Sequence, residues 1–273
     1  MRTLAIHIGG IGDFILTFPA LHALAQQGPL DVAGNPDRVA LPAHFAIAQD
    51  AHDSRVFDFD SLFTTPRDRF RDFVSRYDRV VLFMRDDGEV RERIRNCGVT
   101  EVIALPGIPP DDWTRHASTY FCEKLNVATS DWTPPLPEKS RAPKSVIIHP
   151  GSGGKRKNWP LEHFRALSHA LTDRGFMVQW LRGPAEELDY PSEVTIIESP
   201  TLCSLADTLA ATERYIGNDS GVSHLAGISG CMSTVIFGPT NPSVWCPMGR
   251  DVAPITGTPW PTLDAVIQIA LRD

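Results

Sequence analysis

The sequence contains little cysteine, and this limits the kinds of site it can build. Its 273 residues include five cysteines, and no two of them stand in a C-x-x-C pair. An odd number at irregular spacing fits neither a disulfide framework nor a structural zinc site. We therefore expect reduced, mostly packed thiols, as in a cytoplasmic protein, at Cys97, Cys122, Cys203, Cys231 and Cys246.

Long apolar runs and an excess of positive charge are also missing. No apolar run approaches the about 20 residues that a membrane-spanning helix needs. The 33 acidic residues outnumber the 26 basic ones and give a net charge of −7. Nucleic acids are bound through clustered positive charge, so we expect no nucleic-acid partner.

The amino-terminal stretch raises the alternative of a secretion signal. Arg2 precedes apolar residues, and the small residues of ALHALA (20–25) resemble a cleavage site. However, His7, a glycine cluster and Asp13 interrupt the apolar stretch, so a folded segment is the better interpretation.

Strand-like and helix-like runs alternate along the chain. Apolar strands that alternate with helices are typical of parallel sheets covered on both faces, so we predict the α/β class. The strand-like runs are TLAIHI, LDVAG, RVFDF, RVVLFM and EVIALPG, followed by SVIIHPG, FMVQWLRG, VTIIES, RYIGND and STVIFGP. The helix-like segments are 12–26, 38–50, 66–77, 86–97 and 112–126, followed by 160–174, 184–190, 201–212 and 220–229.

A proline-rich, charged stretch, DWTPPLPEKSRAPK, separates the two halves. It has no periodic face and reads as a linker between domains. The predicted organisation is a first domain at 1–135, a linker at 136–144, a second domain at 145–258 and a carboxyl-terminal segment at 259–273. In such domains, ligands bind at the carboxyl ends of the strands.

A glycine-rich loop opens the second half. HPGSGGKRKNWP (149–160) follows a strand and precedes a helix. Its glycines let backbone N–H groups approach an anion. Ser152 adds a hydroxyl, and Lys155, Arg156 and Lys157 add charge. The pattern is not the G-x-x-x-x-G-K-[ST] of a P-loop, and a merely flexible polar loop is the alternative.

A second strand-to-helix junction follows in YIGNDSGVSHLAGISG (215–230). The free N–H groups of the helix N-terminus suit a pyrophosphate. Asp219 can accept hydrogen bonds from sugar hydroxyls, and His224 lies one turn after Ser220. The alternative is that Asp219 caps the helix and the histidine is packed.

Two further loops end strands in the same half. FGPTNPSVWCPMG (237–249) offers Thr240 and Asn241, which could reach the same site. RGPAEE offers Glu186 or Glu187, which could bind ribose hydroxyls. A solvated charge in a first helical turn is the alternative for these two glutamates.

The first half carries its own glycine loop, in HIGGIGDFILTFPALHAL (7–24). Gly9, Gly10 and Gly12 do not form the G-x-G-x-x-G fingerprint of dinucleotide-binding proteins. Asp13 stands just before an apolar, helix-like stretch, where it can cap the helix. Capping would not exclude a second role for this carboxylate.

Four of these stretches together resemble glycosyltransferase family 9, the ADP-heptose:lipopolysaccharide heptosyltransferases and their relatives. They are IHIGGIGDFILTFPALHALA, HPGSGGKRKNWPLEHFRAL, YIGNDSGVSHLAG and STVIFGPTNPSVWCPMG, and they occur in the family's order. The resemblance implies a GT-B fold, in which two Rossmann-like doubly wound domains face each other across a cleft. It also implies that the last segment, with the amphipathic TLDAVIQIALR, packs back toward the first domain.

The resemblance further implies an inverting, metal-independent transfer. A sugar, heptose-like in this family, passes from a nucleotide-diphosphate donor to a hydroxyl of a glycolipid or other glycan acceptor. No cofactor is implied beyond the nucleotide sugar, with ADP-heptose as the family-level donor. We expect a cytoplasmic protein, with peripheral contact at the inner membrane face as a further expectation; the sequence leaves its oligomeric state open.

The same resemblance assigns roles residue by residue. Asp13 matches the family's general base, within the loop of Gly9, Gly10 and Gly12. Lys157 is preferred over Lys155 because it stands two residues before Trp159-Pro160. The residues that the resemblance implies in donor binding are Ser152, Lys157, Asp219, Ser220, Gly221 and His224. Glu186 joins this set from the acid pattern of nucleotide-binding α/β sheets described above.

Other interpretations stay open. A nucleotide-sugar 2-epimerase shares the GT-B architecture but needs several acid–base residues, and the first half offers few besides Asp13. A binding protein that has lost transfer is the other alternative. The DFD motif at 58–60 resembles a metal-binding D-x-D, although strand-edge acids are the simpler reading. The arginines of 64–95 are interleaved with acids, which favours solvated helix faces over a docking face for an anionic glycolipid.

Overall fold

The chain divides into two compact units, Met1–Trp132 and Thr133–Asp273. The structure, a computed structural model, describes residues 1–128, 132–133, 141–183, 188, 190–192 and 194–272. Most of the predicted linker at 136–144 and of the predicted helix at 184–190 lies outside these residues. The predicted domain boundaries therefore stay predictions.

The first unit is built on a five-stranded parallel sheet with the order β3-β2-β1-β4-β5. The chain moves outward from β1 to β3 and then returns to β4 on the other side of β1. This reversal makes the carboxyl ends of β1 and β4 a topological switch point, where α/β sheets bind ligands. The strands are β1 (Thr3–His7), β2 (Leu30–Gly34), β3 (Asp50–Asp53), β4 (Arg79–Phe83) and β5 (Glu101–Leu105). The helices are α1 (Ile11–Ile15), α2 (Phe18–Ala25), α3 (Pro36–His44), α4 (Asp68–Val74), α5 (Glu89–Arg95) and α6 (Ala117–Lys124).

Helices cover both faces of this sheet, which explains why β1 is buried along its whole length. Alternate residues of a strand point to opposite faces. Leu4 and Ile6 pack in one cluster with apolar residues of α4 and α5. His7 and Phe83 point to the other face, where they contact Phe14 of α1 and Phe121 of α6.

The predicted strand RVFDF is wrong. The third strand lies earlier, at Asp50–Asp53, and residues 54–58 form turns that lead into a 3₁₀ helix at Phe59–Phe63. Asp58 has a left-handed φ of 53°, which breaks an extended run. The alternating aromatics instead pack onto α4, where the Phe57 ring stacks 4.1 Å from Phe73.

The DFD motif consequently does not lie at a strand edge. The Arg67 guanidinium is 3.4 Å from a carboxylate oxygen of Asp58 and 3.7 Å from one of Asp60. Within the ranges that the structure describes, no three His, Cys, Asp or Glu side chains are grouped so that they could hold a metal ion.

A buried carboxylate joins the amino-terminal ends of β1 and β2. Asp31 is 0% exposed, and its Oδ2 accepts hydrogen bonds from the Arg2 guanidinium and the Tyr77 hydroxyl, both at 2.8 Å. His52 Nε2 lies 3.7 Å from the same oxygen. The cluster lies at the opposite end of the sheet from the switch point, so we expect it to serve stability.

Asp31→Asn should destabilise the protein by about 1.5–3 kcal/mol, because the neutral amide loses hydrogen bonds to a charged group. Urea unfolding of the variant and the wild type measures this difference. Asp50→Asn, at an exposed carboxylate paired in register with Asp31, is the matched control and should change stability by less than about 0.5 kcal/mol. Equal losses in both variants would contradict a specific role for the buried cluster.

The second unit is built on a six-stranded parallel sheet with the order β11-β10-β9-β6-β7-β8. Its first three strands run outward from β6 to β8, and β9 returns beside β6. The switch point therefore lies between the carboxyl ends of β6 and β9. The strands are β6 (Ala142–His149), β7 (Met177–Leu181), β8 (Thr195–Ile197), β9 (Thr212–Asn218), β10 (Met232–Phe237) and β11 (Val252–Thr256). The helices are α7 (Leu161–Thr172), α8 (Leu202–Ala210), α9 (Gly221–Ile228), α10 (Pro242–Trp245) and α11 (Leu263–Ala270); Lys155–Lys157 forms a 3₁₀ turn.

Two of these elements, β11 and α10, are absent from the sequence-based prediction. β11 is an edge strand, half exposed and interrupted by Pro254, which masks its strand pattern. α10 is a four-residue helix, too short for a helical period to be visible.

The last helix packs into the core of the second unit. Val266 and Ala270 of α11 lie in one cluster with Val146 and Ile148 of β6 and with apolar residues of α7. A contact of this helix with the first unit stays a prediction. In the described chain, none of the helices combines the length and the apolar character needed to cross a bilayer.

Candidate active site

The first glycine loop, residues 8–12, follows β1 at the switch point of the first unit. Its amide at Gly9 donates to His7 Nδ1 at 3.2 Å. Its carbonyl at Gly9 accepts a hydrogen bond from the Arg38 guanidinium of α3. The His7 ring packs 4.8 Å from Phe14 and 5.7 Å from Phe83, measured between ring centroids. Side chains therefore hold both backbone polar groups of Gly9.

Asp13 lies in the first turn of α1 and is half buried. The N-cap of this helix is Gly10, so the alternative in which Asp13 is the N-cap residue is wrong. Helix α1 begins at Ile11, one residue before the predicted helix-like segment 12–26. Asp13 Oδ2 lies 3.0 Å from the position that a Cβ at residue 10 would take, so glycine leaves room for this carboxylate.

His7 is held in its neutral form. Burial, with a smaller contribution from the Arg38 cation, lowers the pKa of His7 from 6.5 to about 3. Because Nδ1 accepts the Gly9 N–H, the ring proton must lie on Nε2. This nitrogen is buried without a hydrogen-bond partner in the described residues.

The neutral His7 predicts a pH dependence of stability. Between pH 6.5 and about 3 the unfolded chain binds a proton at this histidine and the folded chain does not. Stability should therefore fall as the pH is lowered through this window, by about 1.4 kcal/mol per pH unit from this group. Denaturant unfolding of wild type and His7→Asn between pH 4 and 7 isolates this contribution, since other groups titrate equally in both. Parallel curves for the two proteins would contradict a neutral, buried histidine.

The second glycine loop, residues 150–158, follows β6 in the second unit. Asn218, at the end of β9 and fully buried, holds both of its ends. The Asn218 amide donates to the Pro150 carbonyl at 2.7 Å, and its oxygen accepts the Trp159 N–H at 2.9 Å. One side chain from the neighbouring strand thus sets the span of the loop.

Inside this loop the backbone is accessible. A Cβ at Gly153 or at Gly154 would meet no protein atom within 4 Å. Ser152 Oγ accepts the Gly154 N–H at 3.3 Å and lies 2.6 Å from the Asn158 side-chain oxygen. The protein itself does not need glycine at these two positions for packing, whereas an anion approaching the backbone would benefit from the open space.

Charge converges beside the loop. The Lys157 ammonium donates to Asp219 Oδ2 at 2.8 Å, and the Thr240 hydroxyl donates to the same oxygen at 2.7 Å. The Lys157 side chain is 38% exposed, while that of Asp219 is 4% exposed. The Lys157 ammonium is therefore accessible to a ligand from the solvent side, while the Thr240 hydroxyl is hydrogen-bonded to the Asp219 carboxylate.

The N-terminus of α9 lies next to this group. Ser220 is the N-cap and accepts the Ser223 N–H at 3.3 Å, so the alternative that Asp219 caps the helix is wrong. The cap leaves the Asp219 carboxylate for Lys157 and Thr240. Gly221 opens the helix, and His224 is buried one turn later.

The structure thus groups the predicted residues at two switch points. Gly9, Gly10, Gly12 and Asp13 lie in the first unit, and Ser152, Lys157, Asp219, Ser220, Gly221 and His224 lie in the second. Glu186 and Glu187 lie outside the described residues. The roles that the sequence analysis assigns to all of these residues, including Asp13 as base and the others in donor binding, stay predictions.

Sequence reasoning assigned no role to Asn218, His7 and Arg38. Asn218 directly precedes the Asp-Ser-Gly motif, and this position was the only available signal. Thr240 was predicted to reach the site, and its bond to Asp219 places it beside the charged pair.

Two parallel Rossmann-like sheets, with a lysine, a helix N-terminus and a glycine loop at the switch point of the second, define an α/β protein of the GT-B fold class. Residues 122–268 match the model of glycosyltransferase family 9 (heptosyltransferase). The chain belongs to this family.

Curated relatives agree over a shorter stretch. Lipopolysaccharide heptosyltransferase 1 of Pseudomonas aeruginosa is 28% identical over 116 residues, which are 40% of this chain and 32% of that protein. The Escherichia coli K12 protein of the same name is 27% identical over 95 residues, 32% of this chain and 30% of its own. The matched stretch spans about a third of the length of these relatives.

Solved structures confirm the predicted fold class. Escherichia coli heptosyltransferase WaaC with ADP matches with a TM-score of 0.71 at 18% identity, covering 98% of both chains. Escherichia coli ADP-heptose lipopolysaccharide heptosyltransferase II matches with a TM-score of 0.74 at 15% identity, covering 93% of this chain and 90% of that one. At these identities the likeness concerns the fold alone.

Proposed function

We propose that the protein is an inverting, metal-independent glycosyltransferase that moves a heptose-like sugar from a nucleotide-diphosphate donor to a hydroxyl of a glycolipid or other glycan. The observation that carries this proposal is the group formed by Lys157, Asp219 and the N-terminus of α9 beside an open glycine loop. The names of the relatives, and a neighbour solved with ADP, support ADP-heptose as the donor.

The second unit holds the donor in this proposal. The diphosphate lies against the N–H group of Gly153 and the first turn of α9, which carries partial positive charge. Lys157 turns from Asp219 to the phosphate, and Thr240 keeps its hydrogen bond to the carboxylate. The Asp219 carboxylate then accepts a hydrogen bond from a hydroxyl of the sugar. As the glycosidic bond breaks, these groups stabilise the charge that develops on the leaving diphosphate.

The first unit supplies the base. The acceptor hydroxyl attacks the anomeric carbon from the face opposite the diphosphate, and Asp13 takes its proton. One bond to carbon forms as the other breaks, so the anomeric configuration inverts. The proposal requires an acceptor hydroxyl within hydrogen-bond reach of Asp13 and in line with the donor's anomeric carbon.

Purified protein should release nucleotide from ADP-heptose slowly alone and faster with a heptose-free lipopolysaccharide core glycolipid. UDP-glucose and GDP-mannose serve as comparison donors. Acceleration by the glycolipid, with sugar appearing on it, supports transfer. A changed sugar without release would instead identify a 2-epimerase, and binding without turnover would identify a protein that has lost transfer.

Transfer should persist in excess EDTA, because Lys157 and the helix N-terminus supply the charge that a metal ion supplies in other transferases. The measurement is the transfer rate before and after dialysis against EDTA, with Mg²⁺ and Mn²⁺ added back. Loss on EDTA treatment with recovery on metal addition would contradict this part of the proposal.

The acceptor and the location of the protein follow from the same proposal. A glycolipid acceptor would bring the protein to the inner membrane face from the cytoplasm.

A further inference from the structure

His7 and Arg38 hold one residue of the first glycine loop from two sides. His7 Nδ1 accepts the Gly9 N–H at 3.2 Å, and the Arg38 guanidinium donates to the Gly9 carbonyl. Both the donor and the acceptor of this residue are therefore occupied. The two side chains come from different elements, the end of β1 and helix α3.

The His7 ring cannot easily change place. It is 2% exposed and packed against Phe14 and Phe83. A Cβ at Gly9 would lie 2.9 Å from its Cε1, and one at Gly34 would lie 2.1 Å from its carbonyl oxygen. Glycines at these positions let the loop and the neighbouring strand close tightly around the histidine.

The held residue is directly connected to Asp13. Gly9 is followed by Gly10, the N-cap of α1, whose carbonyl accepts the Phe14 N–H at 3.0 Å. The Asp13 carboxylate lies over Gly10, with Oδ2 3.0 Å from the missing Cβ position. A rotation of the loop at Gly9 would therefore turn the start of α1 and displace this carboxylate.

We infer that His7 and Arg38 are positioning residues, which fix the Asp13 carboxylate by clamping Gly9. The inference rests on the proposed role of Asp13 as the base. It depends on the chemistry of the imidazole, because only the neutral ring can accept at Nδ1 and a protonated ring would present a second donor to the Gly9 N–H. The Arg38 cation disfavours that protonation while it holds the carbonyl.

The test compares His7→Asn, which keeps an acceptor oxygen close to the place of Nδ1, with His7→Leu, which keeps size and removes the acceptor. Arg38→Met removes the second contact, and His22→Leu on α2 is the matched control. Transfer from ADP-heptose to the lipopolysaccharide core glycolipid gives kcat and KM, and amide exchange of the segment 8–16 reports on the loop. Exchange is read without substrate, so it does not depend on the donor.

We expect His7→Leu and Arg38→Met to lower kcat about 10- to 100-fold, the effect of a misplaced catalytic group, with unchanged donor dissociation constants. Amide exchange in the loop should be faster in both. His7→Asn should restore kcat and slow exchange, and His22→Leu should match the wild type. In an Asp13→Asn background, His7→Leu should cause no further loss, since it acts through Asp13.

Every other outcome of these measurements contradicts either the positioning role of His7 and Arg38 or the proposed function. The positioning role is wrong if Asp13→Asn is impaired while His7→Leu and Arg38→Met transfer like the wild type. It is also wrong if amide exchange of the segment 8–16 is unchanged in these two variants. In both cases the proposed role of Asp13 as the base stands. Equal kcat losses in His7→Leu and His7→Asn, or additive losses with Asp13→Asn, also overturn the positioning role. If Asp13→Asn transfers normally, or the wild type does not transfer, the proposed function fails and the positioning role fails with it. Arg38→Met decides the question if His7→Leu does not fold.

Discussion

Asp13→Asn should lower the rate of sugar transfer about 10²- to 10⁴-fold, the usual contribution of a general base. The amide has the shape of the carboxylate, and Gly10 leaves space for either. Folding and donor binding should therefore stay near the wild type, since the donor residues proposed here belong to the second unit. The substitution removes the negative charge and with it the capacity to take a proton.

The measurements are a melting curve, an ADP dissociation constant and a transfer rate on the same preparation. Asp37→Asn is the matched control, because Asp37 is an exposed carboxylate in the first turn of another helix of the same unit, α3. Transfer by Asp13→Asn within a few-fold of the wild type would show that this carboxylate has only a local structural role. A variant that folds but cannot bind ADP would equally contradict the proposed division of work.

Lys157→Met should weaken ADP binding about 10- to 150-fold. A hydrogen bond to a charged group contributes about 1.5–3 kcal/mol, which corresponds to this range. The lysine is the partly exposed member of its pair with Asp219, so it is available to an incoming phosphate. Calorimetric titration with ADP at fixed salt, without divalent cations, measures the loss.

Lys155→Met is the matched control for charge, because this lysine is exposed and stands two residues earlier in the same loop. It should change affinity only a few-fold, and less at higher salt. In Lys157→Met alone, the buried Asp219 carboxylate loses its lysine partner. The double variant of Lys157→Met with Asp219→Asn removes this unpaired charge and so controls for its effect. Equal affinities for Lys157→Met and Lys155→Met would mean that general charge, not this lysine, attracts the diphosphate.

Much of the fold is readable from the sequence because parallel strands buried on both faces leave continuous apolar runs. TLAIHI, RVVLFM and SVIIHPG each coincide with a strand beside a switch point. RVFDF misleads because its aromatics alternate for a different reason, packing onto α4 from a turn. β11 is hidden by Pro254 and by its exposed edge position.

The contacts of the candidate site are harder to foresee than its motifs. Asn218 bonds to residues 68 and 59 positions away, and those pairings depend on β9 lying beside β6. Arg38 reaches Gly9 across 29 positions because β2 lies beside β1. Local sequence shows which residues can do chemistry, while strand order decides which of them meet.

The two hydrogen bonds of Asn218 also distinguish the fixed ends of the second glycine loop from the residues between them. Asn218 holds the ends of this loop through its bonds to Pro150 and Trp159. Between these ends, a Cβ added at Gly153 or Gly154 would meet no protein atom within 4 Å. Because these hydrogen bonds fix both ends of the stretch 151–158, we expect it to lose less conformational entropy on ligand binding than a loop without such contacts. We therefore expect that exchanging residues 151–158 for the corresponding loop of another family member alters donor preference and leaves the sheet unchanged.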